Sequence, residues 1–317
     1  MTNCVLIATY NGEEFIKQEL VSIYKQSVKP DMVIIQDDRS SDQTTEIVEQ
    51  FISSHKLQNW YLRINERNIG WRENFISLIK SAKADNIFLA DQDDIWYKDK
   101  IKFMSDLSEH FPKIGLLVSD YDFFGSQDSV RNISNIKSVK IAHSLYRATY
   151  NVENVHVGRD GCSFMLKKDL VPNVLDVFEK VNIDAYGKKQ SHDQAIWLAG
   201  LFENRLYWTN SKTMNHRYFS ESSWSKENIE VNRELLHKNL SLINYYDCIL
   251  RYVAQSSKYD ISNFQYLEDR VNDLKIENQV YAFKAQGTIK IFSIFCKKIK
   301  YYSSYFNALK SIRRILR

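Results

Sequence analysis

The chain of 317 residues contains three prolines and nine glycines, and no Gly/Ser-rich linker. Long disordered stretches are therefore not expected. Its four cysteines, Cys4, Cys162, Cys248 and Cys296, stand far apart with no CxxC pair. That spacing argues against a disulfide framework or a zinc ribbon, and for a reducing compartment. No apolar run approaches the roughly 20 residues that span a bilayer. The start, "MTNCVLIATYNG", has no basic leader and no cleavage pattern. The expectation is a cytoplasmic protein, free or held on the inner face of the cell membrane. No GxGxxG follows the first apolar run and no GxxxxGK[ST] occurs, so neither a Rossmann dinucleotide site nor a P-loop is supported.

The longest stretch without acid lies at the C-terminal end. Between residues 278 and 317 there is no Asp or Glu, against nine basic residues. Subtracting those nine from the net +4 leaves −5 on the first 277 residues. In this tail Ile289, Phe292, Cys296 and Ile299 share one helical face, continued by Phe306, Leu309, Ile312 and Leu316. A basic amphipathic helix suits an anionic membrane surface. The other reading is a terminal helix docked on the body or on a partner protein, with its lysines in water.

What is present in the first 120 residues is an alternation of short apolar runs and helical patterns. "CVLIA" (4–8), "MVIIQ" (32–36), "WYLRIN" (60–65) and "NIFLA" (86–90) read as strands. "EEFIKQELVSIY", "QTTEIVEQFI" and "ENFISLIKSA" read as the helices between them. This order predicts a doubly wound α/β sheet, whose ligands bind beyond the carboxyl ends of the strands. Polar clusters stand at those ends: "TYNGEE", "DDRSSD", "NERNIGWREN" and "DQDD". Further along, "GCSFMLKKDL" (161–170) reads as a strand entering a helix and "SHDQAIWLAGLF" (191–202) as a helix. "RLYWTN" reads as another strand, with "SKTMNHRYF" after it, and the pattern is helical from about residue 224. The predicted division is an α/β domain over 1–220 and a helical region over 221–317 that ends in the basic amphipathic segment.

Asp91-Gln92-Asp93 closes the fourth strand. Side chains two apart in an extended segment point the same way, and two convergent carboxylates suit Mg²⁺ or Mn²⁺. The alternative is a solvated acidic turn. Asp94 either caps that turn or supports a ligand. Trp96 either walls a pocket or packs under the loop. Tyr10 can stack on a base or fill a turn. Asp37-Asp38 exceeds what helix capping at Ser41 or Asp42 requires, and an Asp there can accept a hydrogen bond from a nucleobase imide.

In combination, "ATYNG", "QDDRSSDQT", "NIGWRENF", "ADQDDIW", "GCSFML" and "SHDQ" resemble the family 2 inverting glycosyltransferases of the GT-A fold, over about the first 220 residues. "DQDDIW", with "HD" about a hundred residues later, is most similar to bacterial rhamnosyltransferases that build cell-surface polysaccharide. The resemblance implies a GT-A type, Rossmann-like mixed sheet with an α-helical C-terminal extension. It implies a donor such as dTDP-rhamnose, a lipid-linked glycan acceptor and no nucleic acid, with oligomeric state left open. Thr9, Tyr10, Glu13, Asp38, Arg67, Asn68, Asp91 and Gln92 would bind the nucleotide-sugar. Asp91, Asp93 and His216 would hold Mg²⁺ or Mn²⁺, and Asp193 would be the general base. Trp96, Arg159, Asp160, Gly161 and His192 would line the acceptor side. A UDP-sugar donor such as UDP-glucose or UDP-galactose, or a non-catalytic module binding nucleotide-sugar or polysaccharide, are the alternatives.

Overall fold

Cys4, Val5, Leu6 and Ile7 are all inaccessible to solvent, which an unbroken apolar run achieves only as a strand covered on both faces. In the computed structural model, which describes residues 1–125, 135–218 and 235–282, they belong to β1 (Asn3–Thr9). β2 (Met32–Asp37), β3 (Trp60–Ile64) and β4 (Asn86–Asp91) follow, with α1 (Ile16–Tyr24), α2 (Thr44–Ser54) and α3 (Trp71–Ser81) between them. The four strands pair in parallel in the order β3-β2-β1-β4. Each agrees with its apolar run to within one or two residues.

The alternate strand residues Val5, Ile7, Val33, Ile35, Phe88 and Ala90 share one core with Ile16, Leu20 and Ile23 of α1 and with Val48 and Phe51 of α2. Ile101 and Met104 of α4 (Lys100–His110) join them. Leu6, Ile34 and Leu89, which point the other way, are equally buried, and α3 packs on β1 and β2. Each such side chain contributes about 1.5–3 kcal/mol over its exposed state.

Beyond β4 the sheet stops being parallel. β9 (Phe164–Lys167) runs antiparallel to both β4 and β6 (Leu116–Gly125). Next to β6 lies β10 (Leu206–Tyr218), parallel to it, followed by β8 (Leu145–Ala148) and β7 (Ser138–Lys140). The two-residue β5 (Ile95–Trp96) pairs antiparallel with β10. The doubly wound pattern thus describes the first half of a ten-stranded mixed sheet. The strand read in "RLYWTN" continues through the residues after it as one thirteen-residue strand, Leu206–Tyr218. Its register shifts twice, between Thr209 and Lys212 and between Lys212 and Asn215. Such irregularities let one strand turn its side chains past a break in the alternation, which hides it from a period-two reading. α5 (Val171–Lys180) follows the β9 strand, and α6 (His192–Phe202) is capped by Ser191, whose side chain accepts from the Gln194 N–H.

The chain divides into two compact units. The first, which holds the whole sheet, comprises residues 1–149, 157–179 and 191–222. The second comprises 150–156, 180–190 and 223–317. Its described helices, α7 (Leu235–Gln255) and α8 (Gln265–Ala282), pack on each other. They bury Tyr245, Ile249 and Val253 from one and Leu267, Val271 and Leu274 from the other. The Tyr245 hydroxyl donates to the Val155 carbonyl, and His156 Nε2 lies 2.9 Å from the Tyr246 hydroxyl. The basic amphipathic stretch from Ile289 onward lies outside the described residues.

Candidate active site

Parallel register carries the ends of three strands to one edge. Thr9 of β1 is level with Asp37 of β2, and Ala8 with Asp91 of β4. The Thr9 hydroxyl donates to Asp37 Oδ2 at 2.8 Å, and Ser40 donates its N–H to Asp37 Oδ1 at 2.7 Å. Asp37 therefore ties the first two loops together. Asp38, buried, organises the third. Its Oδ1 accepts from Asn65 Nδ2 and the Ile69 N–H, and its Oδ2 accepts from the Gly70 N–H, all at 2.8 Å. Gly70 has a φ of 85°, a conformation open to glycine and strained for other residues. Arg67 and Asn68 are exposed on the loop that Asp38 holds.

Tyr10 is exposed beside this edge. Its N–H donates to Gln92 Oε1 at 2.9 Å, and Gln92 Nε2 donates to its carbonyl at 3.1 Å. Gln92 thus grips the Tyr10 backbone with both ends of its amide. A methyl at Gly12 would collide with that amide at 2.3 Å. Glu13 accepts the Gln43 N–H at 2.9 Å and so joins the first loop to the second.

The carboxylates converge as the DxD reading expects, with a third added. Ligand oxygens of Asp91, Asp93 and Asp94 lie within 4.8 Å of one another. Burial, then the neighbouring Asp94, raises Asp91 well above the ordinary carboxylate range. The same causes, in the same order, raise Asp93 to about 7. Asp94 is fully buried, and its Oδ2 has no hydrogen-bond partner among the described residues. Three hard oxygen donors, crowded together, fit Mg²⁺ or Mn²⁺.

One consequence is measurable. In the folded protein without a cation, Asp93 titrates near 7 against an ordinary 3.8. Its contribution to stability is complete below about pH 4 and lost as pH rises through about 7. A divalent cation reverses that loss, because it binds the ionised form. The rise in Tm caused by Mn²⁺ should therefore be small at about pH 5 and large at about pH 8. Equal rises at both would show that these carboxylates are not the ligands.

Asp94 has a defined partner. β5 and β10 pair with Trp96 opposite Met214 and Ile95 opposite Asn215, which brings His216 to Asp94. His216 Nδ1 is 2.8 Å from Asp94 Oδ1, and the Arg217 N–H donates to the same oxygen at 2.9 Å. Burial lowers the affinity of this imidazole for a proton, but Asp94 outweighs it, and His216 is raised to about 10. Its Nε2 lies 3.7 Å from Asp160 Oδ2. Among possible ligand groups, His216 joins Asp94 and Cys162, not Asp91 and Asp93. The Arg217 guanidinium donates from Nε to the Asp93 carbonyl at 2.9 Å.

On the other side of the site, Asp193 sits in the first turn of α6. It is among the charges that raise Asp91, so it belongs to the same electrostatic neighbourhood. His192 Nε2 is 2.6 Å from Asp193 Oδ1. The His192 ring is buried, stacked on Phe75 with centroids 4.0 Å apart and edge-on to Trp71 at 5.5 Å. It is a fixed wall behind Asp193. A methyl at Gly161 would meet Asp193 Oδ1 at 2.1 Å, so glycine there leaves the carboxylate its place. Asp160 Oδ2 accepts from the Tyr121 hydroxyl at 2.6 Å, and Arg159 Nε donates to Asp120 Oδ1 at 2.6 Å.

Trp96 resolves in favour of packing. It is 3% exposed and part of the main core, so it does not wall an open pocket. Beneath it lies a residue that sequence reading missed. Lys100 is buried, with Nζ 3.9 Å from the Trp96 ring centroid and donating to the Cys162 carbonyl at 2.7 Å. Burial lowers it to about 8. Glu19, also fully buried, is raised by burial and then by Asp94. The signal for Lys100 was its place on the apolar face of α4, in step with Met104 and Ser108.

The family model described as Glycosyl transferase family 2 matches residues 4–174. The dTDP-rhamnosyl transferase RfbG of Shigella flexneri is 43% identical over 100 residues, which are 30% of this chain and 34% of that protein. The poly(ribitol-phosphate) beta-N-acetylglucosaminyltransferase TarS of Staphylococcus aureus (strain Mu50 / ATCC 700699) is 33% identical over 100 residues, 31% of this chain and 17% of that one. The match thus spans about a third or less of these curated relatives. Among solved structures, S. aureus TarS 1-349 in complex with UDP-GlcNAc superposes with a TM-score of 0.59. The identity is 16%, over 99% of this chain and 92% of that one. The mannosyltransferase PcManGT from Pyrobaculum calidifontis, in complex with GDP-Man and Mn²⁺, gives 0.50 at 12% identity, over 99% and 86%. These likenesses show the shared GT-A fold.

Proposed function

Because the chain belongs to glycosyl transferase family 2, we propose that it transfers a sugar from a nucleotide diphosphate to a glycan hydroxyl with inversion, in cell-surface polysaccharide synthesis. The observation that carries this reading is the meeting of Asp91, Asp93 and Asp94 at one sheet edge with Asp193 in their electrostatic neighbourhood. Such a pairing separates two tasks. The carboxylate cluster serves the leaving diphosphate, and the lone carboxylate serves the attacking hydroxyl.

Asp193 takes the proton from the acceptor oxygen as that oxygen attacks the anomeric carbon from the side opposite the leaving group. A single displacement inverts the configuration. His192 and Gly161 keep Asp193 in position. Asp91 and Asp93 would hold Mg²⁺ or Mn²⁺, which supplies Lewis-acid stabilisation of charge on the departing diphosphate. Thr9, Tyr10, Glu13 and Asp38 shape the base side, with Arg67 and Asn68 presented by the loop that Asp38 fixes. His216 acts through Asp94. Arg159, Asp160 and Gly161 border the acceptor side.

The donor we favour is dTDP-rhamnose, supported by the identity shared with a protein named as a rhamnosyl transferase. The likeness to TarS supports a UDP-sugar as the second reading. A panel of nucleotide-sugars, assayed for slow hydrolysis with Mn²⁺, separates them. Preference for dTDP-rhamnose supports the first, preference for a UDP-sugar the second, and no hydrolysis of any donor counts against transfer.

The acceptor we favour is a lipid-linked glycan at the cytoplasmic face, reached through the basic tail. No helix among the described residues is long and apolar enough to cross a membrane. The basic amphipathic tail is the segment proposed to hold the enzyme there. The full chain should sediment with vesicles rich in anionic lipid, and a chain ending at Gly287 should not. Cosedimentation of both would remove the tail from this role.

A further inference from the structure

We propose that Asp94, Cys162 and His216 form a second cation site, selective for a thiophilic divalent ion of the zinc class. One donor atom from each residue lies within 4.8 Å of the others. Cys162 Sγ is 3.6 Å from His216 Nδ1, which is itself 2.8 Å from Asp94 Oδ1. Zinc bonds of about 2.3 Å to sulfur and about 2.0–2.1 Å to nitrogen, at a tetrahedral angle, set those two atoms roughly 3.6 Å apart. The sulfur and nitrogen already stand at that spacing. The nitrogen–oxygen contact, at 2.8 Å, must open by roughly half an ångström.

The donor set differs in kind from its neighbour. Asp91, Asp93 and Asp94 offer oxygen alone, which suits Mg²⁺ or Mn²⁺. A thiolate, an imidazole and one carboxylate suit zinc. Asp94 Oδ2, on a fully buried residue, has no hydrogen-bond partner among the described residues, so this carboxylate has an oxygen to give an ion. The three residues come from different parts of one sheet. Asp94 precedes β5, His216 belongs to β10, and Cys162 lies in the turn before β9. Pairing of β5 with β10 and of β4 with β9 fixes them relative to one another. Lys100, donating to the Cys162 carbonyl, fixes the turn.

Binding replaces the thiol proton of Cys162 and the Nδ1 proton of His216 with the metal, and both protons leave to solvent. The cation's two charges are then matched by the thiolate and the Asp94 carboxylate. Asp94 belongs to both donor sets, so an ion in the soft site draws it away from the hard one. Zinc is therefore an inhibitor of Mn²⁺-supported turnover. The site itself stands on geometry and does not depend on which reaction the enzyme performs.

The test uses the full chain and Co²⁺ as a spectroscopic stand-in for zinc. Titration should produce a thiolate-to-cobalt charge-transfer band that Zn²⁺ abolishes by displacement. Asp93→Asn should keep the band, because the hard site contributes no sulfur. Cys162→Ala should lose it and bind Zn²⁺ at least about a hundredfold more weakly. His216→Gln should weaken Zn²⁺ similarly, which keeps the test valid if the cysteine variant misfolds. A band that survives Cys162→Ala, cobalt binding without a thiolate band, or loss of the band in Asp93→Asn would each overturn the proposal.

Discussion

Asp93→Asn should lower sugar transfer at least about a thousandfold at saturating Mn²⁺ and leave the fold intact. The substitution keeps size and shape but removes one of three convergent carboxylates. Asp93 is raised by burial and then by Asp94, so its negative charge is unfavourable in the free enzyme. Removing that charge should raise the thermal stability of the metal-free protein above pH 7 even as activity collapses. That opposed pair of effects is diagnostic, because a merely structural aspartate would lose both together. The measurements are release of nucleoside diphosphate from donor against Mn²⁺ concentration, and a melting curve without metal. Activity that is undiminished and indifferent to Mn²⁺ in this variant would remove the cluster from the chemistry.

The second large effect is expected at Asp193. Asp193→Asn should reduce kcat by about 10²–10⁴-fold while leaving the Kd for donor nearly unchanged. Asparagine fills the same space between His192 and Gly161 but cannot take the acceptor proton. The separation of kcat from donor affinity carries the argument, since a collapsed α6 N-terminus would weaken both. Calorimetric titration of donor, beside steady-state rates with acceptor, reads the two quantities apart. Full turnover in the variant would place the base elsewhere.

The parallel half of the fold was legible because buried strands declare themselves as unbroken apolar runs. "CVLIA" and "NIFLA" need no partner to be recognised, and polar residues immediately after them mark the ligand edge. Asp91 and Asp93 were readable for the same reason. Asp94 was not, since its role depends on His216, 122 positions away, and on a two-residue strand too short to show any period. The irregular register of β10 hid that strand's full length. Trp96 left two readings open because an aromatic beside a polar loop serves a pocket or a core equally well, and only packing decides. Lys100 was overlooked because a lysine is ordinarily taken for a solvated residue, whereas here its ammonium lies over an indole and meets a carbonyl.

The pairing of Asp94 with His216 also bears on the order in which the protein is made. A ribosome delivers the three carboxylates of the fourth loop long before the histidine and arginine that face them. Until β10 emerges and docks beside β6, the nascent chain carries an acidic knot that still lacks His216 and Arg217. β1 to β4 are complete by residue 91, whereas β10 runs from residue 206 to residue 218. The strand that completes the site is thus expected among the last to join, so a chain stalled before residue 216 would hold a nearly finished parallel sheet and no competent centre.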